Sequence, residues 1–183
     1  NLENKTMIET FDENFKFNFE YIFLCKQRDL VETDLLKVIK KLKIKKQIIS
    51  INKDTSSVIE TVYYAKEHVN KNESVLICHP DNINIFYSKK DFEKKITQNN
   101  ADGLLIAFDE ESQTNTAETH TGRVILKNNK VSKIIEKSIK MDNSKRLAGI
   151  YHFKKWSEFI KFSKKTFENQ SPVKGRYFIS QVY

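Results

Sequence analysis

Four apolar runs of strand length, separated by segments of helical periodicity, constrain this chain more than any other feature. Tyr21 to Cys25 (YIFLC), Gln47 to Ile51 (QIISI), Ser74 to Cys78 (SVLIC) and Gly103 to Phe108 (GLLIAF) are nearly continuous in hydrophobicity, as strands covered on both faces require. Between the first two, Leu35, Val38, Ile39 and Leu42 fall on one stripe of a helix predicted over Glu32 to Leu42, with lysines opposite. Asp54-Thr55-Ser56-Ser57 then offers caps to a helix reaching about Val69, with Val58, Val62, Ala65 and Val69 inward. A further helix is predicted over Asp91 to Gln98. Strand, helix, strand, helix, strand with short connections predicts an α/β, Rossmann-like, mostly parallel sheet with helices on both faces.

The second half changes character. Arg123 to Leu126 and Lys130 to Ile135 alternate around Asn128-Asn129, which predicts a small antiparallel hairpin because Asn tolerates positive φ. Leu147 to Phe153 reads as a strand, Trp156, Phe159 and Ile160 mark an amphipathic helix, and Tyr177 to Tyr183 reads as a short helix or turn. Asp109 to His120 is a polar loop without apolar period, and Met7 to Phe15 reads as a short helix packing Met7, Ile8 and Phe11 inward. The 183 residues, 39% of them hydrophobic, suit one core and a single domain over residues 1–183 better than two.

Net charge +8 is compatible with an anionic ligand or nucleic acid. The lysines are spread along helices, however, and a nucleic-acid footprint clusters on one face, so a solvated basic surface is the preferred reading. Cys25 and Cys78 each lie in an apolar run, as free buried thiols of a reducing cytoplasm do. No apolar stretch approaches the roughly 18 residues that cross a bilayer, so no membrane partner is expected.

Several residues are placed to carry chemistry. Asp81, following Pro80 after the third apolar run, sits past the carboxyl edge of a strand, where open α/β sheets bind ligands; a Pro-Asp turn is the ordinary alternative. Glu136 and Lys137 are adjacent in a strand, so both enter one pocket only if a bulge or strand end re-aims one; otherwise they form a surface ion pair. Only four glycines occur, against roughly 13 at an average usage of about 7%. Gly122 precedes the hairpin and Gly149 interrupts a strand, and at either a missing Cβ would let a ligand pack on the backbone; a turn explains Gly122 adequately. Thr55 and Ser57 bring small hydroxyls to a helix start, where capping alone would also justify them. His79 reads as a hydrogen-bonded core residue. No zinc spacing, P-loop or GxSxG occurs, and Asp81-Asn82-Ile83 is not Asp-x-Asp.

Taken in order, Lys5-Thr6-Met7-Ile8, Thr55-Ser56-Ser57 with Thr61 to Ala65 (TVYYA), ICHPD, GRV, IIEK, AGIYHF and RYFISQVY resemble the sugar-1-phosphate nucleotidyltransferases and their relatives acting on other phosphorylated small molecules. The resemblance runs from Lys5 to Tyr183 and implies a glycosyltransferase A type sheet. It implies a catalytic Asp81 holding Mg²⁺, Glu136 accepting from substrate hydroxyls, Lys137 meeting the substrate phosphate, Gly149 and Gly122 flooring the pocket, and Thr55 and Ser57 on the nucleotide. The implied reaction couples a nucleoside triphosphate to a sugar 1-phosphate or similar metabolite with release of pyrophosphate, most commonly for surface polysaccharide, in a chain that can form homo-oligomers.

The sequence also departs from that pattern. Ser57 stands where the family has Gly, Arg176 where relatives often have Glu, and no GxG occurs to supply the Gly-rich, triphosphate-cradling loop. The expectation is therefore a fragment of a longer protein, inactive by itself, or a degenerate member that binds without reacting. A non-catalytic ligand-binding or regulatory domain of the same ancestry and a basic nucleic-acid-binding domain are the alternatives.

Overall fold

The computed structural model describes residues 6–10, 19–79, 89–98, 100–109, 121–138 and 143–183, the side chains of 89–92 and 121 excepted. β1 (Tyr21–Lys26) and β2 (Lys46–Ile51) pair in parallel, Phe23 opposite Ile48 and Cys25 opposite Ser50. Between them lie α1 (Gln27–Glu32) and α2 (Leu35–Lys41). The sequence predicts one helix here, but Thr33 divides it: its hydroxyl donates to the Asp29 carbonyl at 2.6 Å and accepts from the Leu35 N–H at 3.1 Å. Such local bonds compete with the helical ladder. After β2, Ser57 caps α3 (Val58–Tyr63), and three-residue turns replace the predicted last turns up to Val69.

The larger sheet corrects the expected topology. β3 (Val75–Cys78), β4 (Gly103–Phe108), β5 (Thr121–Lys127), β6 (Lys130–Ser138) and β7 (Ser144–Phe153) form a five-stranded sheet in which every pairing is antiparallel. The sheet is therefore not mostly parallel; among the described residues only β1 and β2 pair that way. The reason is β7. Its residues Tyr151 to Phe153 pair with β3 on one edge and β4 on the other. The two apolar strands, joined through α4 (Lys89–Gln98), thus run in the same direction but are separated by a later strand running back between them. A continuous apolar run reports burial on both faces and carries no information about the direction of its neighbour.

α5 (Trp156–Asn169) follows β7 and closes one face. Trp156 and Phe159 are buried, their rings stacked at 4.9 Å, and Phe159 meets Phe153 edge-on at 5.2 Å. The core joins these to Ile59, Val62, Ala65, Val124, Leu147, Tyr151 and Ile179, with Leu24 and Ile49 of the parallel pair packed against it. Ile160 packs at its margin. A final 3₁₀ helix (Ile179–Val182) docks by its buried Ile179, Ser180 and Val182. Near the start of the chain, Met7 is exposed rather than inward, on a single helical turn; Phe11 lies outside the described residues. Among the described residues no helix is long and apolar enough to cross a membrane.

Gly149 has a backbone explanation. It has φ +70° at the point where β7 changes neighbours, from β3 at Ile150 to β5 at Arg146, and where the register with β4 shifts between Leu105 and Ala107. Its carbonyl still accepts from the His79 N–H at 3.1 Å. An L side chain in the left-handed region costs about 1–2 kcal/mol. Gly149→Ala is therefore expected to lower Tm by about 2–8 °C for a chain of this length, measured by thermal unfolding; an unchanged Tm would mean that the position does not need glycine.

Candidate active site

The site is built on a bulged hairpin. Asn128 and Asn129, at φ 53° and 58°, make the tight turn that two consecutive left-handed residues favour, and β5 and β6 leave it in antiparallel register. Toward the far end the register slips: Arg123 faces Ile135, yet Thr121 faces Ser138. Glu136 and Lys137 together therefore oppose Gly122, which is a β-bulge. Lys137 takes φ 53° within it, an uncommon conformation for a side chain of this kind. The condition under which neighbouring strand residues can serve one site is thus present at Glu136-Lys137.

The bulge places the Glu136 carboxylate over Gly122. A Cβ added there would lie 2.6 Å from Glu136 Oε1 and 3.1 Å from both Cδ and Oε2. The space left by the missing side chain is thus taken by a protein carboxylate rather than left open for a ligand. The Ser180 hydroxyl, fully buried, donates to Glu136 Oε1, and the backbone N–H of Lys137 also supports the carboxylate. Burial raises the Glu136 carboxyl above its ordinary value, opposed by the Ser180 hydrogen bond, the Lys137 charge and that backbone N–H. Tyr151 of β7 completes the cluster: burial and the Glu136 charge push its phenol up, against a hydrogen bond with Ser180. Lys137 Nζ lies 5.1 Å from the centre of the Phe178 ring, within cation–π range.

This arrangement offers an acceptor for hydroxyls beside a cation for a phosphate. It joins Glu136, Lys137 and Gly122, with Gly149 two residues from Tyr151 along β7. Thr55 and Ser57 follow β2, and their hydroxyls are engaged in the start of α3: Ser57 accepts from the Glu60 N–H at 3.2 Å, and Thr55 Oγ1 meets Thr61 Oγ1 at 2.6 Å. Asp81 lies outside the described residues. His79 packs its ring edge-on to Tyr151 at 6.2 Å. Among the described residues no group of His, Cys, Asp or Glu is arranged to hold a metal ion. Cys78 is a free thiol that burial pushes up to about 12, so it is no nucleophile near neutral pH.

Sequence reasoning singled out RYFISQVY without assigning a role to Ser180, and AGIYHF without noting Tyr151. The available signal was a small polar residue, Ser180, directly after the apolar pair Phe178-Ile179. A small polar residue there needs a buried partner.

No family model and no curated protein matches the chain. Solved structures do. A nucleoside-diphosphate-sugar pyrophosphorylase from Vibrio cholerae superposes with a TM-score of 0.71 at 17% identity, over 100% of this chain and 75% of that one. The fold is that of nucleotidyltransferases. The 4-diphosphocytidyl-2C-methyl-D-erythritol synthase of Anaerococcus prevotii gives 0.65 at 13% identity over 100% of this chain and 75% of its own. A putative glucose-1-phosphate thymidylyltransferase from Bacillus anthracis gives 0.64 at 15% identity over 96% and 68%.

Proposed function

We propose that the protein belongs to a nucleotidyltransferase that couples a nucleoside triphosphate to a sugar 1-phosphate or similar phosphorylated metabolite, releasing pyrophosphate. The observation that carries this reading is the bulge at Glu136-Lys137, which puts a half-buried carboxylate and a lysine at adjacent positions on a nucleotidyltransferase fold. Glu136 would accept from ligand hydroxyls and so orient the substrate, and the Lys137 ammonium would offset the charge of its phosphate. An oxygen of that phosphate would attack the α-phosphorus in line, forming a new P–O bond as the bond to pyrophosphate breaks, so positioning supplies much of the catalysis. Thr55 and Ser57 on the nucleotide side, and Mg²⁺ on Asp81 to neutralise phosphate charge, belong to the same proposal through the resemblance in sequence. No step above depends on the metal. Precursor synthesis for surface polysaccharide, in the cytoplasm, is the setting the resemblance implies.

The test is pyrophosphate release by the full-length protein incubated with nucleoside triphosphates, Mg²⁺ and a panel of sugar phosphates. Release that requires both substrates is expected. Tight binding of a sugar phosphate with no release would favour the non-catalytic alternative, and silence in both assays would end this reading.

A further inference from the structure

We propose that Ser180 is a positioning residue for Glu136: its hydroxyl fixes the carboxylate over Gly122 and leaves the remaining acceptor capacity to a ligand hydroxyl. The proposal rests on the reading of Glu136 as a hydroxyl acceptor and adds to it a residue of the 3₁₀ helix.

The direction of the hydrogen bonds follows from the donor inventory. An ionised carboxylate only accepts, so Ser180 gives its single proton to Glu136 Oε1. Ser180 occupies one of the roughly four acceptor directions of a carboxylate.

Ser180 itself is rigidly held. The Phe178 N–H donates to Gln181 Oε1 at 2.8 Å, and the Tyr183 hydroxyl reaches the carbonyls of His152 at 2.6 Å and Leu104 at 2.8 Å. The 3₁₀ helix is thereby tied to β4 and β7 and acts as a strap whose one buried hydroxyl meets the site. Ser180 exposes none of its surface, so it touches no ligand directly and acts through Glu136.

The test follows the Glu136 carboxyl by ¹³C NMR titration in the full-length protein and in its Ser180→Cys and Ser180→Ala variants. Among the described residues Lys137 and Tyr151 are the charged and titratable groups that interact with the carboxylate, and both are unchanged in the Ser180 series. The midpoint is expected to rise in the order of lost donor strength, wild type below Cys below Ala. Packing alone would not produce that order. In parallel, calorimetry should show glucose 1-phosphate bound about tenfold more weakly by Ser180→Ala, with inorganic phosphate bound as before. Equal midpoints in wild type and Ser180→Ala, or equal losses for both ligands, would overturn the proposal. The expected titration series in a protein that binds no sugar phosphate would uphold the clamp on Glu136 and remove the functional reading instead.

Discussion

Glu136→Gln is expected to lower kcat/KM for the sugar phosphate by about 10- to 150-fold while raising Tm at neutral pH. The loss follows from replacing charge-assisted bonds to ligand hydroxyls by neutral ones, worth about 1.5–3 kcal/mol. The gain follows from linkage. Burial raises the folded carboxyl above its ordinary value, so the folded chain holds its proton more tightly than the unfolded one. Stability from this group is then fully present below the ordinary carboxylate range, and it falls as pH climbs through that range to the raised folded value. The neutral amide removes that decline. Thermal unfolding of wild type and variant from acidic to neutral pH checks the second half, and steady-state kinetics the first. A variant that loses stability at neutral pH and keeps its activity would contradict both.

Gly122→Ala is expected to be nearly as damaging to activity, by a different route. Its Cβ would arrive 2.6 Å from Glu136 Oε1, and the atom that must give way is the end of a flexible side chain. The fold yields cheaply there, so Tm should change by no more than a few degrees. The displaced carboxylate, however, leaves the Ser180 hydroxyl and the geometry needed for a ligand. Glu136→Gln and Gly122→Ala act on the same group and should be non-additive: the double variant should be no slower than the worse single one. Additive losses would show that Gly122 serves something other than Glu136.

Some of this was legible in the sequence for definite reasons. The hairpin turn could be read because two consecutive Asn residues at positive φ are a local requirement with few solutions. Trp156 and Phe159 could be placed in the core because helical spacing fixes which face they share. The direction of the sheet could not. β3 and β4 announce burial, but their partner β7 lies far along the chain, and nothing in VLIC or GLLIAF encodes an antiparallel neighbour. The bulge was legible only as a condition on Glu136-Lys137, since the slipped register depends on how β5 meets β6. Gly122 read as a turn because turns are local, whereas its close approach to a carboxylate across the hairpin is not. Ser180 was hidden for the same reason: its partner is on another element, and a single hydroxyl leaves no periodic trace.

The central claim is that the bulge at Glu136-Lys137 receives a phosphorylated, hydroxyl-bearing small molecule. A crystal structure of the full-length protein with glucose 1-phosphate tests it most directly. The account predicts a ligand hydroxyl within hydrogen-bonding distance of the Glu136 carboxylate, the phosphate within reach of Lys137 Nζ, and Ser180 still bonded to Oε1. A ligand seated elsewhere, with Glu136 enclosed by protein atoms alone, would contradict it.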